Sequence, residues 1–223
     1  MKNLVIVESP AKAKTIEGYL GESYNVIASY GHVRDMEDKT GSVSPESWSD
    51  IKWAISERGK TQLNQISTLA KVSDRLILAT DPDREGEAIA WHICELLKER
   101  GILDSMEVCR AVFNSITKNA VSEAIENTRD INHEKVQAYL ARRVLDYVVG
   151  FNISPLLWRR LPGAKSAGRV QSVALKLICE RENKRDSFEP QEYWTIHALF
   201  IKQGEIINSN INSLDGKKLK KFD

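Results

Sequence analysis

The sequence has few of the features that mark secreted, membrane-spanning or zinc-binding chains. Its 223 residues include only three cysteines, Cys94, Cys109 and Cys179, which lie far apart with no Cys-x-x-Cys pair. They predict neither a disulfide framework nor a zinc site, which favours a reducing, cytoplasmic setting. No apolar run approaches the roughly 18 residues that a membrane span requires. The first apolar run, residues 4–7, is too short for a signal peptide and is followed at once by Glu8.

A large excess of either charge is also missing. The formal net charge is +1, with 42% hydrophobic and 28% charged residues, which is an ordinary composition for a soluble globular protein. The charge is nevertheless unevenly distributed: residues 1–141 carry 17 Lys and Arg against 22 Asp and Glu, whereas residues 142–185 carry 10 against 3. An acidic part followed by a basic part fits a metal-binding module joined to a phosphate-binding one. A solvated pair of basic helices explains the same distribution equally well.

Hydrophobic patterning predicts strands that alternate with helices over the first 130 residues. The predicted strands are 3–8, 24–29, 75–79 and 106–111, and the predicted helices are 11–20, 57–71, 85–100 and 118–127. Residues 31–53 are polar and rich in Gly, Ser and Asp, which predicts a loop with little regular structure. Alternating strands and helices indicate an α/β fold with a mainly parallel sheet covered on both sides.

A different pattern begins near residue 132. Helices are predicted over 133–149, 153–160 and 167–185, followed by a strand over 193–201 and a stretch, 208–223, with no pattern that could pack. We therefore expect an α/β domain over residues 1–130 and a mainly helical, basic domain over 131–190. Residues 191–223 would be the start of a further domain or a tail.

Acidic side chains concentrate at the ends of two predicted strands. Asp81, Asp83 and Glu85 alternate along the turn that leaves the strand 75–79, and Glu8 ends the first strand. Ligands gather at the carboxyl edge of parallel strands, and clustered carboxylates repel one another unless a positive charge lies among them. Hard oxygen ligands of this kind suit Mg²⁺, so the four carboxylates are a candidate metal site. Taken alone, Asp-Pro-Asp also fits a turn that caps the next helix.

Three longer motifs resemble one family. Residues 4–14 (LVIVESPAKAK) resemble the opening of type IA DNA topoisomerases, residues 79–92 (ATDPDREGEAIAWH) resemble their acidic motif, and residues 166–172 (SAGRVQS) resemble a third motif in the same order. A glutamate followed later by Asp-x-Asp alone would indicate only the broader TOPRIM class, which includes primases and type II topoisomerases. The resemblance implies a Rossmann-like TOPRIM metal-binding domain over 1–130 and part of a helical domain that binds single-stranded DNA over 131–190.

The resemblance also implies roles for residues of the first domain. In this family a tyrosine attacks a DNA phosphodiester and retains the 5′ phosphate, and the equivalent of Glu8 exchanges a proton with the freed 3′ hydroxyl. Glu8 could instead be an outer ligand of the metal. Lys12 would contact the scissile phosphate, which an anion-binding helix N-terminus independently favours, and Lys14 is expected to be solvated. His32 would lie beside the active site, and Arg110 would either contact DNA or close a strand.

A second set of roles falls on the basic helices. The resemblance places Arg142 beside the scissile phosphate with Asp146 orienting it, although the pair also fits a plain i,i+4 ion pair. Arg143 would project towards the bound strand, and Arg169 and Gln171 would contact DNA in a groove. Some family members carry an arginine at the position of Tyr147 and a tyrosine at that of Phe151, so any base preference set by this helix is not transferable. His92, which shares a helical stripe with apolar residues, is expected to be a packed histidine.

The family's nucleophile is not recognisable in this sequence. None of the six tyrosines has the Tyr-x-Arg-Thr-like surroundings of the family's attacking residue. We therefore expect the chain to be an N-terminal part of the enzyme that binds Mg²⁺ and single-stranded DNA but does not cleave DNA alone.

The leading hypothesis is thus part of a type IA DNA topoisomerase that relaxes negatively supercoiled DNA by cleaving and rejoining one strand. Its expected cofactor is Mg²⁺, and its expected partners are single-stranded segments of supercoiled duplex and the downstream domains of the same enzyme. We expect it in the cytoplasm with the nucleoid. The alternatives are a TOPRIM-type nuclease in which Mg²⁺ ions activate water and a non-catalytic, Mg²⁺-dependent nucleic-acid-binding module.

Overall fold

A four-stranded parallel sheet forms the centre of the computed structural model, which describes residues 2–37, 39–44, 47, 50–104 and 106–219. Its strands lie in the order β2-β1-β5-β6. The strands of the N-terminal part are β1 (Asn3–Val7), β2 (Tyr24–Ala28), β3 (Arg34–Met36), β4 (Trp53–Ile55), β5 (Arg75–Leu78) and β6 (Glu107–Arg110). The helices are α1 (Pro10–Leu20), α2 (Glu57–Ala70), α3 (Arg84–Glu99), α4 (Lys118–Glu126), α5 (His133–Arg160) and α6 (Arg169–Asp186).

The sheet is buried on both faces. Every residue of β1 is buried, and alternate side chains point to opposite layers, as the period of a strand requires. One layer packs against α2 and α3 and the other against α1 and α4. The first contains Leu4, Ile6, Leu63, Ile66, Leu76, Leu78, Ile93 and Leu97, and the second contains Val5, Val7, Ile16, Ile77 and Val121. The predicted α/β fold with a covered parallel sheet is confirmed.

Residues 31–53 contain more order than predicted. Strands β3 and β4 pair antiparallel, with Arg34 opposite Ile55 and Met36 opposite Trp53. Arg34 and Met36 are buried on either side of the exposed Asp35. A three-residue strand is too short to show alternation in the sequence. The prediction for residues 38, 45, 46, 48 and 49 lies outside the described residues.

Helix α5 is continuous, so the prediction of two helices over 133–149 and 153–160 is wrong. Pro155 lies inside it. A proline removes one helical N–H, and it also clashes with the carbonyl four residues earlier. Here that residue is the exposed Phe151, where water can bind the carbonyl. The helix packs along α3 and carries its N-terminal half over the acidic turn.

The chain forms two compact units, Met1–Arg169 and Val170–Asp223. The second contains most of α6 and two antiparallel pairs, β7 (His197–Lys202) with β8 (Glu205–Asn210) and β9 (Ser213–Leu214) with β10 (Lys217–Lys218). Residues 208–219 thus contain strands that the sequence pattern did not predict, although apart from Ser209 they are exposed, and residues 220–223 lie outside the described residues. The functional division at residue 130 remains a prediction, since compactness does not test it. Among the described helices, none combines the length and apolarity needed to cross a membrane.

Candidate functional site

Glu8 and Asp81 meet at the carboxyl edge of the sheet. Each follows a central strand, β1 and β5, and these two strands are parallel neighbours. The backbone N–H of Asp81 donates to Glu8 Oε1 at 2.9 Å. Two carboxylates separated by 73 positions in the sequence thus share one edge of the sheet, where ligands bind in folds of this kind.

Lys12 brings a positive charge to these carboxylates. Ser9 caps α1 by accepting from the backbone N–H of Lys12 at 3.3 Å, and Pro10 occupies the first turn. The side chain then reaches back over the helix N-terminus, and Nζ lies 2.5 Å from Asp81 Oδ1 and 3.5 Å from Glu8 Oε2. The helix start and the ammonium group together make this edge attractive to an anion such as a phosphate.

The surroundings push the acidities of the two carboxyl groups apart. Burial raises the pKa of Glu8. The hydrogen bond from the backbone N–H of Asp81 opposes this effect, whereas the side chain and the charge of Asp81 add to it. Burial also acts to raise the pKa of Asp81, but hydrogen bonds from Lys12 and Glu8 outweigh it and hold that pKa below its usual range. The pKa of Lys12 is raised because its carboxylate partners outweigh the effect of its own burial. Of the two, Glu8 therefore takes up a proton more readily and Asp81 keeps its charge more readily.

Arg110 holds the turn that carries Asp81. Its side chain is completely buried, and its guanidinium donates to the backbone oxygens of Leu78 at 2.8 Å, Thr80 at 3.0 Å and Asp81 at 3.0 Å. The proposed DNA contact from Arg110 is therefore wrong, because these donors face the protein interior. Its function is the other one considered, closing the strand end.

Glu87 neutralises Arg110 in the interior. Its carboxylate, also completely buried, accepts from Arg110 at 3.2 Å, from the Arg129 guanidinium and from the backbone N–H of Asn132 at 3.0 Å. Burial acts to raise the pKa of Glu87, but these donors keep it below its usual range. The same residue thus links α3, β6 and the segment that leads into α5.

Gly86 lets helix α3 start directly against the acidic turn. A Cβ atom at this position would lie 2.1 Å from the carbonyl oxygen of Asp81 and 2.7 Å from its nitrogen. Thr80 Oγ1 donates to the Gly86 carbonyl at 2.6 Å, and Asp83 Oδ1 accepts from the Gly86 N–H at 2.9 Å as the N-cap of α3. Glycine is required here for close approach of two backbones.

The four predicted metal ligands do not form a cage. Within the described part of the chain, no group of three or more His, Cys, Asp or Glu side chains is arranged to hold a metal ion. Asp83 caps a helix, Glu85 Oε2 faces His32 Nε2 at 3.4 Å, and the Lys12 ammonium lies between Glu8 and Asp81. Because Mg²⁺ in phosphate sites needs only one or two carboxylates beside phosphate and water, the residues fit a smaller donor set than the predicted one.

A cleft of about 210 Å³ joins the acidic turn to helix α5. It is lined by His32, Asp35, Glu85, Tyr139, Arg142, Arg143 and Asp146. The structure therefore brings His32 and the basic pair at 142–143 to the same cleft as Glu85. The roles of these residues towards DNA remain predictions.

The ion pairs at this cleft differ from the expected ones. Asp146 binds Arg169 through two hydrogen bonds of 2.8 Å, so its main partner is not Arg142. These bonds lower the pKa of Asp146. Arg143 makes the corresponding contact with Asp35, at 2.9 and 2.6 Å. Sequence spacing identified Arg142 and Asp146 as neighbours on one helix face, but it could not show an acceptor from a different element.

A larger pocket of about 670 Å³ continues from Asp146 along α5. Tyr147 and Phe151 lie on its wall with their ring centroids 4.4 Å apart, and the Tyr147 hydroxyl donates to the Lys39 carbonyl at 2.5 Å. Gln171 belongs to the second compact unit, where it is exposed. Its contact with DNA therefore remains a prediction.

Three supporting residues were not recognised from the sequence. Gly86 and Glu87 sit inside the acidic motif, but only their three-dimensional neighbours reveal their roles. Lys135 on α5 donates to the Pro82 carbonyl at 2.6 Å and fixes the helix to the turn.

Comparison with known proteins places this arrangement in a class. Residues 3–116 match the model of the Toprim domain, and residues 130–222 match a model described as DNA topoisomerase. The fold and the acidic edge are thus those of a Toprim protein. The chain belongs to the bacterial DNA topoisomerase I family.

Individual relatives are similar over almost the whole chain. It is 53% identical over 219 residues to DNA topoisomerase 1 of Zymomonas mobilis, covering 98% of this chain and 18% of that protein. It is 51% identical over 221 residues to the Rickettsia bellii enzyme, covering 98% and 28% respectively. The structure of full-length topoisomerase I from Thermotoga maritima matches with a TM-score of 0.73 and 39% identity, over 98% of this chain and 36% of that one. The chain therefore spans between about a fifth and a third of these relatives.

Proposed function

We propose that this chain supplies the TOPRIM domain and part of the strand-binding domain of a type IA DNA topoisomerase that relaxes negatively supercoiled DNA. The nucleophilic tyrosine would come from downstream domains, because no tyrosine here has the family's motif. The observation that carries the proposal is the group Glu8–Lys12–Asp81 at the sheet edge, in which the pKa of Glu8 is raised and the Lys12 ammonium lies between the two carboxyl groups near a helix start. Its site of action would be chromosomal DNA in the cytoplasm.

In this reaction the tyrosine hydroxyl loses its proton to solvent, its oxygen forms a bond to phosphorus and the P–O3′ bond breaks, and resealing reverses each of these changes. Glu8 gives its proton to the departing 3′ oxygen, and it takes that proton back when the 3′ hydroxyl attacks the phosphotyrosine to reseal the strand. A raised pKa suits a group that must hold a proton near neutral pH and release it on demand. Lys12 binds the phosphate, exchanging one carboxylate partner for a phosphate oxygen.

Mg²⁺ would be held near Asp81, Asp83 and Glu85 by one or two carboxylates together with DNA phosphate. When bound, it neutralises charge on the phosphate and orients it. Titration calorimetry with MgCl₂ should give weak binding to the chain that Asp83→Asn reduces further. The exposed Glu107→Gln, which removes the same charge elsewhere, should leave it unchanged.

The DNA strand would run along the cleft lined by Arg142 and Arg143 towards the pocket beside Tyr147. Two guanidinium groups at a cleft wall suit phosphate oxygens, and the pocket beyond them is large enough for a base. The expected partner is a single-stranded segment, because an unpaired base is free to enter a pocket that lies off the backbone path.

The test is reconstitution of relaxation. This chain would be mixed with a separately produced tyrosine-bearing remainder of a relative and assayed on negatively supercoiled plasmid, and the same variants would be made in a full-length relative. Glu8→Gln and Lys12→Ala should each abolish or strongly reduce relaxation, while Lys14→Ala on the same helix should not. Relaxation that survives Glu8→Gln, or a covalent DNA adduct formed by this chain alone, would refute the proposal.

A further inference from the structure

Two histidines lie side by side behind the candidate site. His92, on α3, is completely buried, and His32 is partly buried on the loop after β2. Their rings meet edge to face with centroids 5.9 Å apart, and both contact the ring of Tyr139, which stacks on His32 at 5.1 Å. Neither His92 Nε2 nor His32 Nδ1 has a hydrogen-bond partner among the described residues, although both atoms are buried.

Arg34 fixes the tautomer of His92. Arg34 Nε–H donates to His92 Nδ1 at 2.8 Å, so Nδ1 is the acceptor and the ring proton must be on Nε2. Arg34 is itself held by Glu99 at 3.2 Å and lies over the faces of Trp53 and Trp91. Burial, followed by the charge of Arg34, lowers the pKa of His92 to about 3, which agrees with a neutral ring.

Glu85 fixes the other end in the same way. His32 Nε2 lies 3.4 Å from Glu85 Oε2, and a carboxylate accepts hydrogen bonds, so Nε2 of His32 is the donor. In neutral His32 this leaves Nδ1 as an acceptor. The two buried atoms without partners are therefore complementary: His92 presents an N–H and His32 presents a lone pair.

We propose that one ordered water molecule joins His92 Nε2–H to His32 Nδ1. The two atoms do not bond each other directly, and a buried donor and a buried acceptor on rings whose centroids are 5.9 Å apart are suitable partners for an internal water. The result is a chain of hydrogen bonds from Arg34 through His92 and water to His32 and Glu85.

His92 and Arg34 are then positioning residues for His32. Through the water at Nδ1 they favour the tautomer of His32 that carries its proton on Nε2, which is the nitrogen that faces Glu85 in the acidic turn. The hydrogen-bond chain stands independently of the proposed function. Only its consequence for DNA cleavage rests on that function.

The first test is made on the unaltered chain. Labelling with ¹⁵N-histidine gives four imidazoles, of which His133 and His197 are exposed and serve as references. Long-range ¹⁵N–¹H spectra should show His92 and neutral His32 as single Nε2–H tautomers, and the His92 Nε2 proton should cross-relax with a long-lived water. The proposal would be overturned if the His92 Nε2 proton showed no cross-relaxation with water, or if His32 existed mainly as the Nδ1–H tautomer.

Variants separate this positioning role from simple packing. His92→Phe should shift His32 towards a mixture of tautomers and remove the water signal, and His92→Gln, which retains an N–H donor, should restore the Nε2–H form at least in part. Ile93→Val, a buried change on the same helix, should leave the His32 spectrum unaltered. If His92→Phe folds with the His32 tautomer of the unaltered chain, the proposal is wrong. If relaxation by a full-length relative survives Glu8→Gln while the spectra behave as expected, only the proposed function fails.

Discussion

The acidic turn and the cleft beside it contain two kinds of ion pair, one buried and one partly exposed. Glu87 and Arg110 are completely buried, and Arg110 binds the backbone that carries Asp81. The pairs Arg143–Asp35 and Arg169–Asp146 lie at the cleft wall, where each side chain is between about a third and a half exposed. The buried pair cannot exchange its partners for a ligand, whereas the open pairs can.

The buried pair therefore maintains the geometry of the site, whereas the exposed pairs are suited to binding its ligand. A buried pair is costly to break because the remaining charge has no access to water, so it fixes geometry. An exposed pair contributes little to stability, so a phosphate can replace the carboxylate at small cost. The exposed carboxylates thus orient these arginine side chains but can be replaced by a phosphate at little cost in free energy.

Removing the buried acid should have the largest effect. Glu87→Gln keeps the shape of the side chain but leaves Arg110 as an uncompensated charge in the interior. We expect the free energy of unfolding to fall by about 3–5 kcal/mol, measured by urea denaturation with the fluorescence of the tryptophans. Glu107→Gln, which breaks the exposed pair with Arg75, should change it by less than about 1 kcal/mol. Equal effects of the two substitutions would contradict this comparison.

Gly86→Ala should have the next largest effect on the free energy of unfolding. Gly86→Ala places its Cβ against the Asp81 backbone, so α3 or the turn must shift, at an expected cost of about 1–3 kcal/mol. The same substitution at Gly18, in the interior of α1 with no atom within 4 Å of the new Cβ, should instead stabilise the chain by up to about 1 kcal/mol. Thermal unfolding of both variants checks the opposite signs.

The sequence was sufficient to predict the sheet, its two covering layers and the edge where Glu8 and Asp81 meet. Buried strands such as β1 are continuous apolar runs, and parallel strands end at a common edge, so these features follow from local pattern. The short strand β3 and the continuity of α5 through Pro155 were missed. Both depend on which side chains become buried by the rest of the chain, which local pattern does not encode.

The sequence did not reveal which acidic side chain of the site pairs with which basic one, and this was the main part of the site that it left open. Spacing along a helix suggested Arg142 for Asp146, yet Arg169 binds it from 23 positions away. Arg110 was considered for DNA, yet its two terminal guanidinium nitrogens donate to groups of the protein interior. Each charged side chain has several candidate partners within reach, and the energy differences among them are small at a surface, so only the assembled fold selects one.

The carboxyl pair at the sheet edge should give opposite pH dependences. The raised pKa of Glu8 means that its proton contributes stability at low pH, which is lost as the pH rises from 4.5 through the pKa of the folded state. Glu8→Gln, which cannot ionise, should therefore become more stable than the unaltered chain within this pH interval and at higher pH.

Asp81 provides the matched opposite case. Its lowered pKa means that its charge contributes stability above pH 3.8, which is lost as the pH falls through the pKa of the folded state. Asp81→Asn should be less stable than the unaltered chain at neutral pH, by about 1 kcal/mol or less because the group is half exposed, and this difference should vanish in acid. Denaturation curves between pH 3 and pH 8 test both signs, and parallel curves for the two variants would contradict the assignment.

The smallest expected effect concerns the exchange of partners at the cleft wall. Asp35→Asn releases Arg143 from its carboxylate, so single-stranded DNA should bind about 1.4- to fivefold more tightly, the equivalent of an exposed pair worth about 0.2–1 kcal/mol. Arg143→Ala should weaken binding and reduce the slope of log K against log salt by about 0.7, as expected for one lost phosphate contact on a single strand. Fluorescence anisotropy with a labelled oligonucleotide at several salt concentrations measures both. Glu107→Gln makes the same change in net charge far from the cleft. If it tightens binding as much as Asp35→Asn does, the effect comes from overall charge, and Arg143 is not held in reserve for DNA.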